Sequence, residues 1–155
     1  MRRCCKQIPR CWHVVCLVIM VATCSHPQAW AATVSTHAFG RWEFVLQEGT
    51  PVAMGEIIGT LRRQTGAPEY PLMLGRQKNL LVLNVLGPGT RPHRLTATEF
   101  LWSAAARAGA PRFMLERTLR QTEMLTLVLR HTSVAVQVSL AVDLATLQRM
   151  LEGER

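Results

Sequence analysis

The sequence predicts an α+β fold: a compact domain of two helices and five strands, extended by one more strand and a C-terminal helix. Three observations carry this expectation. Apolar residues at Met54, Ile57, Ile58 and Leu61, and again at Ala97, Phe100, Leu101, Ala104, Ala105 and Ala108, fall three and four apart, which stacks them on one side of a helix. Both segments run into the same words, Gly66-Ala67-Pro68-Glu69-Tyr70 and Gly109-Ala110-Pro111-Arg112-Phe113. There a glycine supplies the left-handed cap and a proline forbids continuation. Helix-stop chemistry alone also yields Gly-x-Pro; the shared alanine and aromatic are not demanded by capping and point to two equivalent halves. Finally, Val134, Val136, Val138, Leu140 and Val142 alternate with Ala135, Gln137, Ser139 and Ala141, the period of a strand with one buried face.

Taken in order, the chain opens with a segment that does not belong to the fold. Arg2, Arg3, Lys6 and Arg10 precede a mostly apolar run from Cys11 to Cys24, and Ala29 and Ala31 stand at the two small-residue positions of a cleavage site. This predicts a signal peptide over 1–31 and export to the periplasm. The competing expectation, a membrane anchor, needs a run long enough for about 30 Å of hydrocarbon, and this one is short and contains His13. Val21-Ala22-Thr23-Cys24 also has the outline of a lipoprotein signal, in which Cys24 would be acylated, although threonine replaces the usual Gly or Ala. Cleavage lowers the net charge from +8 to +4 and removes all five cysteines. The exported chain then has no disulfide, thiol nucleophile or thiolate ligand.

Residues 32–40 are polar and unpatterned and predict a mobile start. Trp42, Phe44 and Leu46 share one side of a half-buried strand over Arg41–Gln47. Thr50-Pro51 reads as a helix N-cap followed by proline at the first helical position, opening a first helix to about Thr65. Gly55 and Gly59 weaken that helix by about 1 kcal/mol each relative to alanine. Tyr70–Leu74 is a short strand, Gly75–Asn79 a polar turn, and Leu80–Leu86 a strand apolar on both sides. Gly87-Pro88-Gly89-Thr90-Arg91-Pro92-His93-Arg94 is a basic loop. Thr96-Ala97-Thr98-Glu99 has the capping-box pattern of a second helix. Arg112–Leu115 and Met124–Leu129 are strands joined by a charged connection, and Asp143 caps a last helix carrying Leu144, Leu147, Met150 and Leu151. The expected division is a domain over 41–130 and a strand–helix extension over 131–155.

The pattern Phe44…Gly49…Met54…Ile57-Ile58…Leu61…Gln64-Thr65-Gly66 resembles the first half of the secretin and TonB short N-terminal domain, where a strand leads to an amphipathic helix closed by Gln-Thr-Gly or Gln-Ser-Gly. Thr96…Glu99-Phe100-Leu101…Gly109…Phe113 is similar to its second half. The resemblance spans about residues 42–129, departs from the family in the glycines of the first helix, and does not account for 134–152. It implies a free-standing, non-catalytic periplasmic module without cofactor, an accessory of a pilus, secretion or conjugation apparatus. Its partners would be envelope proteins such as a secretin or pilus component.

Candidate chemistry is sparse. His37, His93 and His131 have no second ligand at two to four positions' spacing, so no metal site is expected. No Gly-x-Ser-x-Gly elbow is present, and Gly87-Pro88-Gly89 lacks the Gly-Lys-Ser/Thr ending of a phosphate loop. An enzyme is not expected, and the charge is too thinly spread for a nucleic-acid footprint. Two surfaces remain. Arg91, His93 and Arg94, with Arg76 and Lys78, form a basic contact surface for acidic protein, lipid headgroups or peptidoglycan, or else a solvated loop. Val134, Val136, Val138 and Leu140 belong to a strand whose edge is a candidate for pairing with a partner strand. The main functional expectation is an exported protein-interaction module. The alternative is a cell-wall or small-ligand binder using loop 87–94.

Overall fold

The computed structural model describes residues 31–87, 91–102, 112–133 and 135–153. Its described part is mostly β: ten antiparallel strands in two sheets and one C-terminal helix. Six strands form the first sheet, in the order β1 (Thr33–Phe39), β2 (Trp42–Glu48), β4 (Ile57–Arg63), β5 (Glu69–Gln77), β6 (Leu80–Val85) and β7 (His93–Glu99). The second sheet orders β10 (Gln137–Asp143), β9 (Met124–His131), β8 (Arg112–Gln121) and β3 (Pro51–Ala53). Helix α1 spans Leu144–Gly153. The predicted two-helix α+β domain is therefore overturned, and with it the structural basis of the resemblance.

Both sheets turn one face to a common core. Phe44, Leu46, Leu61, Leu72, Leu74, Leu81 and Leu83 from the first meet Phe113, Leu115, Leu125, Leu127, Leu129 and Leu140 from the second, and none of these thirteen retains exposed surface. Alternation along each strand produces this directly, because successive side chains leave a strand on opposite sides. α1 lies across one end of the core through Leu144 and Leu147. Its start is capped as expected: Asp143 accepts from the Thr146 hydroxyl (2.8 Å) and the Thr146 amide (3.1 Å). Those bonds hold the Asp143 carboxyl below its usual range. Phe100, Trp102, Phe113 and His131 close the opposite end with edge-to-face and stacked ring contacts.

The first expected helix is two strands. Gly55, with φ +86°, turns the chain between β3 and β4, a conformation open to glycine at no steric cost. The helical spacing of Ile58 and Leu61 comes from an irregularity in register between Ile57 and Gly59. One extra residue in β4 sends two side chains three positions apart to the same face, so a bulged strand imitates a helical period. Gly59 is required where it stands: a Cβ there would lie 2.3 Å from the Val45 carbonyl oxygen. Gly66-Ala67-Pro68 is the hairpin loop between β4 and β5, fastened by Arg63 N–H to Pro68 O (3.1 Å) and Gly66 N–H to Arg63 O (3.0 Å).

The expected capping box, Thr96 to Glu99, lies inside β7. Its alternate threonines suit a strand as well as a cap, and β6 supplies the ladder they complete. Residues 103–111 of the second expected helix and its ending, including Gly109-Ala110-Pro111, lie outside the described residues, as do residues 1–30 of the expected signal peptide over 1–31, Cys24 among them, and Val134. The stretch 32–40, expected to be mobile, is strand β1, and the charged connection after Leu115 continues β8 to Gln121. The strands expected at Trp42, Tyr70, Leu80 and Met124 are present.

Candidate functional site

β5 and β6 carry the core on one side, and on the other they form the floor of an open depression of about 770 Å³. Met73 and Gly75 come from β5, Val82 and Asn84 from β6, and Gly75 lies opposite Val82 in the ladder. Gly75 keeps the floor low, since a Cβ there would sit 3.3 Å from both Asn84 Nδ2 and Val82 Cγ2. Met54 and Gly55, in the turn between β3 and β4, make one wall; Pro92 and Arg94 make the other. Arg94 Nη1 donates to Gln77 Oε1 at 3.0 Å. β6 lies between β7 and β5, so the Arg94 side chain crosses the floor to reach it. Arg76 stands at the rim, its Nε donating to Lys78 O (2.9 Å) and its guanidinium 4.4 Å from the centre of the Trp102 ring, a cation–π contact.

The Arg94 guanidinium and the carboxamides of Asn84 and Gln77 thus meet two thioethers and Val82, with no carboxylate in the lining, while Arg76, opposite the inward Leu81 in the ladder, sends its guanidinium to the Trp102 ring. Among the described residues neither Arg76 nor Arg94 is in an ion pair; the one salt bridge joins Arg62 to Glu43 at 2.6 Å, on two other strands. A volume in this range is within that of ligand sites; here the lining is polar and apolar in about equal parts. The arrangement can bind and orient; it presents no nucleophile beside a base.

Of the basic residues singled out in the sequence, the structure brings Arg76 and Arg94 together here. Arg91 is exposed before β7, and Lys78, with φ +55°, forms the tip of the β5–β6 turn. His93 and Arg94, adjacent on a strand, point to opposite sides. His93 lines an apolar crevice with Tyr70, Val85, Leu147, Met150 and Leu151. That crevice has a volume of about 10 Å³, at the lower limit for one water molecule. The expected basic loop is in part a strand, and alternation divides its charges. Sequence reasoning missed Met54, Met73, Gly75, Gln77, Val82 and Asn84. The signal available was Asn84, a polar residue breaking an apolar run, diagonal to Gly75 across a short turn.

Of the expected pairing strand, Leu140 is buried, and Val136 and Val138 pack partly against the core. β10 is an edge strand, but β7, the edge of the other sheet, comes within 8 Å of it.

The remaining polar cluster ties the two sheets together. His37 Nε2 lies 2.6 Å from Thr118 Oγ1, and that hydroxyl donates to Glu48 Oε1 at 3.3 Å. Arg120 Nη1 donates to Ala38 O at 2.8 Å. The Thr118 proton is committed to Glu48, so His37 has no hydroxyl to activate, and the cluster reads as a clasp. Burial and then the neighbouring Arg120 push the His37 pKa below its ordinary 6.5, while Glu48 opposes them. Burial also lowers that of His131, whose Nδ1 accepts from the Ser133 amide at 3.1 Å.

Among the described residues no group of three His, Cys, Asp or Glu side chains could hold a metal, and no helix is long and apolar enough to cross a membrane. No protein-family model matches the chain, and no curated protein or solved structure is similar enough to count as a match.

Proposed function

We propose that the protein is an exported, non-catalytic binding module that takes a cell-wall or small ligand on the outer face of its six-stranded sheet. The observation that supports this most is the depression over β5 and β6. It pairs a floor kept open by Gly75 with Arg94, which no carboxylate neutralises among the described residues, and with Arg76 at its edge. The direct test fills the site. Gly75→Val places methyl groups into the depression from a residue whose backbone is ordinary strand. Co-sedimentation with isolated peptidoglycan, together with an NMR screen of small ligands, should then be lost while thermal unfolding stays cooperative. Binding that survives the filled floor overturns this location, and the absence of any ligand that shifts Met73, Gly75 or Asn84 overturns the proposal.

A protein partner keeps one specific support, at β1 rather than β10. The loop from Phe39 to Trp42 has two residues, so the flanking pair is hydrogen-bonded and Ala38, Thr36 and Val34 turn their backbone groups away from β2. β1 carries no lysine, arginine, acid or proline, and Val34 is 67% exposed. Beyond the Ala38 carbonyl, which Arg120 occupies, such an edge suits strand addition by an envelope protein. A photo-crosslinker at Val34 that captures no envelope protein in the producing cell overturns this second proposal. The pilus, secretion or conjugation assignment rested on a resemblance whose first helix is the strands β3 and β4.

A further inference from the structure

The depression also limits the chemistry of what it holds. We infer that its ligand is an organic anion, with a carboxylate or phosphate taken by Arg94 and Asn84 and an apolar portion lying on Met54, Met73 and Val82; this rests on the ligand-site proposal above. The polar groups of the lining are unequal in kind. Both charged groups are cationic, and the nearby Glu56 is occupied, since its Oε2 accepts from the Ala53 amide at 2.8 Å. The exported chain as a whole is also positive, at +4 without residues 1–31, which favours encounter with anions.

Arg94 is placed for recognition. Its bond to Gln77 uses Nη1 and holds the guanidinium above the floor. The planar fork retains donors on Nη2 and Nε, the geometry that matches a carboxylate or phosphate with two parallel bonds. Asn84 lies opposite Arg94 in the β6–β7 ladder, and its Nδ2 reaches the space above Gly75. Arg76 plays a different part: its guanidinium face is taken up by the Trp102 ring, so it adds positive potential at the rim more than a bidentate bond. Next to the anion position, Met54, Met73 and Val82 offer flexible, polarisable apolar surface, which adapts to varied alkyl or ring shapes.

The test uses three probes of similar size: octanoate, octyl phosphate and the neutral octanamide, each titrated into the purified, isotope-labelled chain. Octanoate, octyl phosphate or both should shift the amides of Met73, Gly75 and Asn84, and should bind at least tenfold more tightly than octanamide. Which of the two anions binds better identifies the headgroup. Arg94→Ala should lose that preference with the rest of the spectrum unchanged, and Arg94→Lys should restore only part of it. Equal binding of octanamide overturns the anion assignment while leaving the ligand site standing. So does an Arg94→Ala chain that keeps the preference. If none of the probes, and no ligand in the wider screen, shifts these residues, both the assignment and the site proposal fall.

Discussion

The two faces of the β5–β6 hairpin differ by one residue in sequence and by everything in environment. Leu72, Leu74, Leu81 and Leu83 point inward with no exposed surface, while Met73, Gly75, Val82 and Asn84 point outward around an open depression. One set is interchangeable in chemistry and fixed in shape; the other mixes thioether, amide, no side chain at all and, beside it, arginine. A strand used in this way separates stability from recognition without spending any additional chain. Substitutions on the two faces should then report on different properties.

The largest contrast is expected between neighbours on β6. Leu83→Ala removes a fully buried side chain and should destabilise by about 2–5 kcal/mol, measured by urea unfolding. Asn84→Ala should stay within about 0.5 kcal/mol. If the two changes are equal, the inward and outward assignment is wrong.

The glycines give a smaller contrast of the same form. Gly59→Ala forces a Cβ to 2.3 Å from a backbone oxygen that cannot move aside and should cost about 1–3 kcal/mol. Gly75→Ala meets side-chain atoms at 3.3 Å, which can give way, and regains backbone entropy. Its change should be clearly smaller than that of Gly59→Ala in the same denaturant series.

Acidification probes the inward polar groups. His37 and His131 have folded-state pKa values below 6.5, so between those values and 6.5 the unfolded chain binds more protons. Stability should therefore fall as pH drops through 6.5, and the loss should level off below the folded-state values. His37→Gln should flatten part of this slope, and His131→Gln the remainder. A slope unchanged in both variants removes these histidines as its source. The smallest effect is expected on the outward face. Glu43→Gln breaks the Arg62 pair, whose arginine side chain is 44% exposed, and should change stability by less than about 1 kcal/mol, less still in high salt.

Much of the β structure was legible: period two marked Trp42-Phe44-Leu46 and the Val136-to-Val142 alternation, and continuous apolar runs marked the strands at Leu80 and Met124. The capped last helix was legible as well, because Asp143 and the Leu144, Leu147 spacing are local signals. What misled was a coincidence of spacing. The bulge at Ile57–Gly59 made Ile58 and Leu61 look helical, although the β-branched Ile57, Ile58 and Thr60 and two glycines in six residues spoke for a strand. Thr96-x-x-Glu99 fits a capping box, and only the ladder with β6 decides against it. The depression was legible in part. Arg76 and Arg94 stand out by charge, but their partners sit on three strands and a turn, and no local rule places Gly75 beneath Arg94. The same alternation that separates His93 from Arg94 explains why a run of basic residues was a poor guide to a surface.

β3 leaves the first sheet between β2 and β4 to pair with β8, and Pro51 waits for Met114, 63 positions along the chain. Most of the first sheet needs only neighbours in sequence, so it can assemble as soon as its hairpins close. The second sheet is complete only after nearly the whole chain has arrived. Long-range pairings of this kind slow the approach to the native state. The crossover strand thus leaves the two sheets unlocked until β8, in the C-terminal half, is in place.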